Sequence, residues 1–170
     1  NYLKENSSSD EVFKEKLWWS LYIDNPDATR FLLCYYENQF KTNEIYTDLW
    51  IRDNNKKYIW TIEHIFPEWE NIPAEWVKMI ADWDKQLAGL YLDRYAHTLG
   101  NLTITWYNQN LSNKPFEEKR DRKNNKWNYI WYRNGLKLNE DVVNQNKWQV
   151  KNISERTNKL VERFLKEFKL

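Results

Sequence analysis

A chain of 170 residues with a formal net charge of +1 forms one domain, or at most two small ones. Its composition, 41% hydrophobic and 30% charged, excludes a disordered tail, and no apolar run reaches the roughly 20 residues that a membrane helix needs. The one cysteine, Cys34, excludes an internal disulfide and a cysteine-based zinc finger, and it favours a reducing, cytoplasmic compartment. Because there are only three glycines and four prolines, helices are favoured over a β-sandwich.

Residues 1–56 are predicted to form a helical lead-in. The segment 7–10 is typical of a helix N-terminal cap, and apolar residues follow at every fourth position from Phe13 to Leu21. Asn25-Pro26 is then expected to cap and begin a second helix, because proline is favoured at the first helical position.

The remainder, 57–170, is predicted to mix strands and helices without an internal repeat. Its strands are indicated by β-branched and aromatic residues, and its helices by apolar residues on one face. In chain order we expect a strand ending at Glu63-His64 (57–65), a helix (72–87), a strand (102–105), a helical segment (108–119) and a C-terminal helix capped by Asn152.

Charge is distributed unevenly along the chain. Residues 63–84 carry six acidic side chains and one basic one, whereas 114–126 carry six basic and three acidic ones and 147–170 carry seven basic and three acidic ones. An acidic centre with basic flanks is consistent with a metal site beside a phosphate-binding surface. Solvated helix faces produce the same pattern, so charge alone does not decide between the two interpretations.

Histidine is scarce, since only His64 and His97 occur, and each is either a structural residue or a participant in chemistry. His64 directly follows Glu63 and precedes Pro67 at a predicted strand end, where the backbone can bend and direct both side chains to one site. A carboxylate is a hard oxygen ligand that suits Mg²⁺. A neutral imidazole can take a proton from water near neutral pH.

Asparagines form a second cluster, which begins just before the second predicted strand and continues after it. An asparagine side chain offers a neutral carbonyl oxygen to a cation and amide donors to neighbouring backbone. Because asparagine is abundant throughout the chain, the cluster also arises from composition alone. Its members are Asn101, Asn108, Asn110 and Asn113.

Most of the eleven tryptophans are expected in the core. The aromatic residues beside the basic stretch are the exceptions, because exposed rings can stack on nucleobases. They are Tyr129, Trp131 and Tyr132.

These motifs resemble a nuclease family. Glu63-His64-Ile65-Phe66-Pro67, then Asn101-Leu102, then an asparagine seven to nine residues later, is similar to the HNH nuclease pattern. The chain also resembles one branch, the C-terminal nuclease domain of GmrSD-type restriction endonucleases, over roughly residues 58–165. The segments that carry this resemblance are His97-Thr98-Leu99-Gly100-Asn101-Leu102-Thr103-Ile104-Thr105, Tyr107-Asn108, Leu111-Ser112-Asn113-Lys114-Pro115-Phe116 and Lys119-Arg120.

The resemblance implies roles for individual residues. His64 is the expected general base, Glu63 a metal ligand, and Asn101 the residue that holds the loop and orients the base. The last metal ligand is either Asn110, from generic HNH spacing, or Asn108, from the spacing of the GmrSD-like branch, which we favour. The expected substrate or supporting contacts are His97, Asn113, Lys114, Lys119 and Arg120.

The resemblance also implies a fold and an activity. The expected fold is α+β, a mostly helical domain with an embedded ββα-metal element over 57–170. The expected activity is hydrolysis of DNA phosphodiester bonds with Mg²⁺, or another divalent cation such as Mn²⁺, in a restriction or phage-defence protein. Expected partners are DNA and a nucleotide-hydrolysing domain, either on a longer chain of which this is a piece or on a partner subunit; no membrane is expected.

The alternative is a nucleic-acid-binding module that retains the nuclease fold without the activity. Glu63 at the first ligand position and the near-neutral isoelectric point of about 7.9 favour this alternative. The intact His64 opposes it.

Overall fold

The computed structural model describes residues 9–42, 47–106 and 114–168. Within these ranges the chain combines helices with one small antiparallel sheet, which confirms the predicted α+β class. The strands are β1 (Thr61–His64) and β2 (Leu102–Thr105), and 3-10 turns occur at Leu99–Asn101, Trp131–Arg133 and Lys137–Asn139. The helices are α1 (Asp10–Trp19), α2 (Leu21–Asp24), α3 (Pro26–Asn38), α4 (Ala74–Ala81), α5 (Lys85–Tyr95), α6 (Phe116–Asp121), α7 (Glu140–Val143) and α8 (Val150–Glu167).

The first helices begin where side chains cap them. The Ser9 hydroxyl accepts a hydrogen bond from the backbone of Val12 at 3.3 Å, and the Asn25 side chain accepts one from Ala28 at 2.9 Å. These bonds satisfy N–H groups that the first turn of a helix leaves unpaired. The prediction that Asn25-Pro26 begins a helix is confirmed, whereas the first apolar stripe is divided at Ser20 into α1 and α2.

The helix predicted over 72–87 is two helices. Asp82 and Trp83 have left-handed φ values of 49° and 73°, which end α4. The Asp84 side chain then accepts a hydrogen bond from Leu87 at 2.9 Å and caps α5. The single-helix prediction was wrong because apolar spacing does not show this reversal of the backbone.

The C-terminal helix α8 begins three residues earlier than predicted. Gln149 is its N-cap, and the predicted cap, Asn152, instead accepts a hydrogen bond from the Gln149 backbone at 2.9 Å, as the second half of a capping box. Among the described residues, no helix has both the length and the apolar character to cross a membrane.

A close backbone contact joins α8 to the turn that precedes β2. A Cβ atom added to Gly100 would lie 2.1 Å from the carbonyl oxygen of Ile153 and 2.3 Å from the hydroxyl of Thr157. The buried Arg156 donates hydrogen bonds to the carbonyls of Gly100 and Leu102, at 2.6 and 2.8 Å. Glycine therefore allows α8 to hold the start of β2.

Within the described residues, two apolar clusters make up the core. One contains residues of α1, α3 and α8, such as Leu17, Leu33 and Phe164; the other contains Trp76 and Phe116. In β1, Ile62 packs against the first cluster, whereas Ile65 and Phe66, directly after the strand, belong to the second. His64 therefore lies where the chain passes from one cluster to the other.

Candidate active site and metal centre

His64 is the last residue of β1, and it is nearly buried, with 7% of its surface exposed. Its Nε2 atom lies 3.0 Å from Nδ1 of His97, which follows α5. Tyr22 of α2 contacts both rings, edge-on to His64 with ring centroids 5.0 Å apart and stacked on His97 at 5.4 Å. The fold thus brings together the two histidines, which are far apart in the sequence.

Asn101 fixes the backbone beside both histidines. Its Oδ1 accepts hydrogen bonds from the backbone of Phe66 at 2.8 Å and from the indole of Trp148 at 3.2 Å. Its Nδ2 donates to the carbonyls of Phe66 at 2.8 Å and Ala96 at 2.9 Å. One fully buried amide therefore ties the turn after His64 to the residue before His97.

Glu68 completes a group that could hold a metal ion. Its Oε2 atom lies 3.5 Å from Nε2 of His64 and 3.9 Å from Nδ1 of His97, and each residue offers one ligand atom, all within 4.8 Å of one another. Donor atoms at about 2.1 Å from one tetrahedral metal ion lie about 3.4 Å apart, close to these separations. Two imidazole nitrogens and a carboxylate oxygen suit Mn²⁺, Fe²⁺ or Zn²⁺ better than Mg²⁺.

Glu68 is the residue that the sequence reasoning missed. It lies four residues after His64 in the acidic segment, beyond the motif that drew attention to Glu63. The side chains of His97 and Glu68 are 31% and 45% exposed, whereas that of His64 is 8% exposed. The group is therefore open to solvent on the side of Glu68 and His97.

Glu63 forms a buried ion pair with Lys119 of α6. The Lys119 ammonium lies 2.8 Å from Oε1 of Glu63 and also donates to the carbonyl of His64 at 3.3 Å. Lys119 is fully buried, away from any surface that DNA could reach, although the sequence predicts a phosphate contact there. Glu63, the predicted metal ligand, faces this lysine and is outside the group formed by His64, Glu68 and His97.

Of the other predicted contact residues, Lys114 and Arg120 form ion pairs with nearby carboxylates. Lys114 is about half exposed, with Nζ 3.5 Å from a carboxylate oxygen of Glu118. Arg120 pairs with Asp121 and donates to the carbonyl of Gln145 at 2.6 Å. The predictions for Asn108, Asn110 and Asn113 fall outside the described residues.

Burial controls the charge state of the site. It lowers the pKa of His64 from its ordinary 6.5 to about 3, and electrostatic interactions with His97 and Lys119 act in the same direction. Burial also raises the pKa of Glu63 and lowers that of Lys119, and the attraction within this pair opposes both shifts. His64 is therefore a neutral imidazole near pH 7, with a lone pair available for a proton or a metal ion.

The chain matches a protein-family model. The family model described as "GmrSD restriction endonucleases, C-terminal domain" matches residues 7–163. The match includes every residue to which the sequence assigns a role, and it extends to the N-terminal helices. Comparisons with curated proteins and with solved structures found no match.

Proposed function

Because the chain belongs to the family of GmrSD restriction endonuclease C-terminal domains, we propose that it is a divalent-metal-dependent DNA endonuclease of the HNH type. The observation that carries this proposal is the convergence of a neutral, nearly buried His64 with His97 and Glu68 at the end of the β1–β2 pair. In this proposal β1, β2 and α6 form the ββα-metal element. Its setting is a restriction or phage-defence system in the cytoplasm, with a nucleotide-hydrolysing domain on a longer chain or a partner subunit.

His97 and Glu68 are the described residues proposed to hold the cation, because they are the solvent-facing members of the group. Asn108, or Asn110, remains the proposed further ligand. When bound, a divalent cation neutralises charge on the phosphate and stabilises the leaving oxygen. Glu63 reaches such an ion only if its ion pair with Lys119 breaks.

His64 acts in the proposed reaction as the general base that takes a proton from the attacking water. Its neutral form, which burial favours, is the form that can accept this proton. A phosphate that enters beside the ring favours the imidazolium and therefore raises the pKa of His64 from its low value. Asn101 holds the turn after His64 and so keeps the ring in place.

A plasmid-nicking assay with Mn²⁺ or Mg²⁺, with and without chelator, tests the proposal. We expect cleavage by the wild type, and a loss of about 10²–10⁴-fold in His64→Ala, with DNA affinity within a few-fold of wild type because a base acts on the transition state. His97→Ala is the matched comparison, because loss of a ligand raises the metal concentration that gives half-maximal activity. A folded wild type that cuts with neither cation contradicts the proposal, and undiminished nicking by His64→Ala removes His64 from the mechanism.

A binding module without catalysis is the second candidate. The buried Glu63–Lys119 pair favours it, because a lysine occupies the place that a cation would take beside the first predicted ligand. This candidate predicts that the chain binds DNA in chelator and that no cation produces cleavage.

A further inference from the structure

Two loops of the chain are built alike, which corrects the expectation that the chain contains no internal repeat. We define the first loop as residues 51–60 and the second loop as residues 122–131, and both end in Tyr-Ile-Trp. An isolated antiparallel bridge closes each one, Arg52 with Tyr58 and Lys123 with Tyr129. In both, a basic side chain lies over the closing tyrosine ring: Arg52 at 3.9 Å from the ring centroid and Lys123 at 4.6 Å.

The hydrogen bonds inside the two loops also correspond. The Asp53 side chain accepts from the backbone N–H groups two and four residues later, at 2.9 and 2.9 Å; the Asn124 side chain does the same at 2.9 and 3.1 Å. The residue three positions after each acceptor, Lys56 or Trp127, has a φ of 62° and donates its N–H back to the carbonyl of Asp53 or Asn124. The turn is therefore the same structure with different side chains at its tip.

The tip of the second loop presents an exposed tryptophan. Trp127 is 79% exposed, more than any other large hydrophobic side chain in the described part of the chain. A bulky residue with positive φ is uncommon, and the first loop makes the same turn with Lys56. The aromatic ring is therefore not required to build the turn, and it contributes little burial to the fold.

Basic residues flank Trp127 in the sequence, and one of them, Lys123, lies close to its ring. Residues 122–131 contain three basic residues and no acidic residue, and the Lys123 ammonium lies 5.5 Å from the Trp127 ring centroid. Tyr129 is 47% exposed and is also approached by Arg133 at 5.2 Å. By contrast, Trp131 and Tyr132, which the sequence offered as stacking residues, are buried. An exposed ring among cations is the combination that binds a nucleobase with its phosphates.

The second loop begins directly after α6, whose Lys119 contacts Glu63 beside the candidate site. The chain from Arg122 to the tip can extend at most about 18 Å, at about 3.6 Å per residue. This length corresponds to about five nucleotides at ~3.4 Å each. A strand bound at the tip would thus lie within about five nucleotides of the C-terminal end of α6, the helix that carries Lys119.

We infer that the second loop is an arm that binds an unpaired nucleotide of the DNA substrate, with Trp127 stacked on the base and Lys123 and Lys126 on neighbouring phosphates. This inference rests on the proposed function for the identity of the substrate. It adds a preference for unpaired DNA near the cleavage point, and it assigns that preference to one residue, Trp127.

The test measures, by fluorescence anisotropy, the binding of a labelled single-stranded oligonucleotide and of its duplex to the 170-residue chain in the presence of a chelator. Trp127→Ala should weaken single-strand binding about 5- to 150-fold, as loss of one stacked base does, and duplex binding much less. Trp127→Phe should restore most of the affinity. Lys126→Ala should reduce the slope of log affinity against log salt by about 0.7 on the single strand, the share of one phosphate contact.

Two matched variants test whether the loss of any residue at a loop tip, or of any exposed tryptophan, has the same effect on DNA binding as Trp127→Ala. Lys56→Ala changes the corresponding tip position of the first loop, and Trp83→Ala removes a 57%-exposed tryptophan from the acidic segment. Neither should affect the preference for single-stranded DNA. Trp127 is exposed, so Trp127→Ala should unfold at the wild-type denaturant midpoint.

The outcomes separate this inference from the proposed nuclease activity. If Trp127→Ala binds single strands as the wild type does, or loses single-strand and duplex affinity equally, the stacking arm is refuted even where the wild type cuts DNA. A different result is that Trp127→Ala loses single-strand affinity selectively while the wild type fails to cut DNA with any divalent cation. In that case the arm stands and the nuclease proposal fails.

Discussion

Replacing Lys119 by methionine tests the buried ion pair at the centre of the candidate site. Methionine has a similar length and no charge, so the substitution leaves the Glu63 carboxylate without the ammonium that lies 2.8 Å from it. The same ammonium donates to the carbonyls of His64 at 3.3 Å and Ile65 at 3.5 Å, and these groups also lose a donor.

The expected loss of unfolding free energy is about 3–5 kcal/mol, the usual result of removing one partner from a buried pair. Burial already raises the pKa of Glu63, and the attraction of Lys119 opposes that shift. Without Lys119 the carboxyl group is therefore protonated over a wider pH range, which limits the loss to the lower half of this interval. Such a loss is a large part of the roughly 5–15 kcal/mol that stabilises a domain.

A double-mutant cycle in urea measures this effect. Lys119→Met combined with Glu63→Leu should recover most of the stability, because an apolar pair carries no uncompensated charge. Lys159→Met is the control, since its ion pair with Asp141, at 2.7 Å, is about half exposed and should contribute less than about 1 kcal/mol. The reasoning is refuted if Lys119→Met stays within about 1 kcal/mol of wild type, or if the double variant loses the sum of the single losses.

Three further predictions concern backbone contact, pH and the metal ligand. Gly100→Ala places a Cβ atom 2.1 Å from a carbonyl oxygen of α8, and it should lower the free energy of unfolding by about 1–3 kcal/mol or more, as measured by thermal unfolding. Gly89→Ala is the control and should cost nothing, because no atom lies within 4 Å of the added Cβ. Equal unfolding midpoints for the two variants would contradict the close contact at Gly100. Because burial lowers the pKa of His64 to about 3, this histidine is protonated in the unfolded state before it is protonated in the folded state as the pH falls below 6.5. The free energy of unfolding should therefore fall by up to about 1.4 kcal/mol per pH unit between pH 6.5 and about pH 3. This slope should be absent in His64→Gln. In a metal titration Asn108→Ala should raise the metal concentration for half-maximal nicking and Asn110→Ala should not, and the reverse result would support generic HNH spacing.

Features that depend on adjacent residues could be predicted from the sequence. Asn25-Pro26 begins α3, β1 ends at His64, and β2 covers Leu102–Thr105, as expected. Each depends on a cap, a proline or a short alternation, whose physical effect extends over only a few residues. The division between α4 and α5 could not be predicted in this way, because Asp82 adopts a left-handed conformation that its apolar neighbours do not reveal.

Features that depend on burial could not be predicted from residue type. Lysines are rarely fully buried, so Lys119 was expected at the surface; its burial depends on Glu63, which is distant in the sequence. Similarly, Trp131 is buried and Trp127 is exposed, although they are four residues apart in the same basic, aromatic segment. The turn, and not the composition, determines which ring faces solvent.

The register of the two strands converts these distant residues into one site. His64 is paired with Leu102, so the backbone of Ile65 continues the pairing and donates to the carbonyl of Asn101 at 2.9 Å. This position lets the Asn101 side chain reach the backbone of Phe66, at the turn that follows His64. A slip of one residue would direct His64 to the opposite face of the sheet, away from His97, and would separate Asn101 from the turn. The contacts of Gly100 and Asn101 with elements outside the sheet therefore fix the geometry of the histidines, because they fix the register.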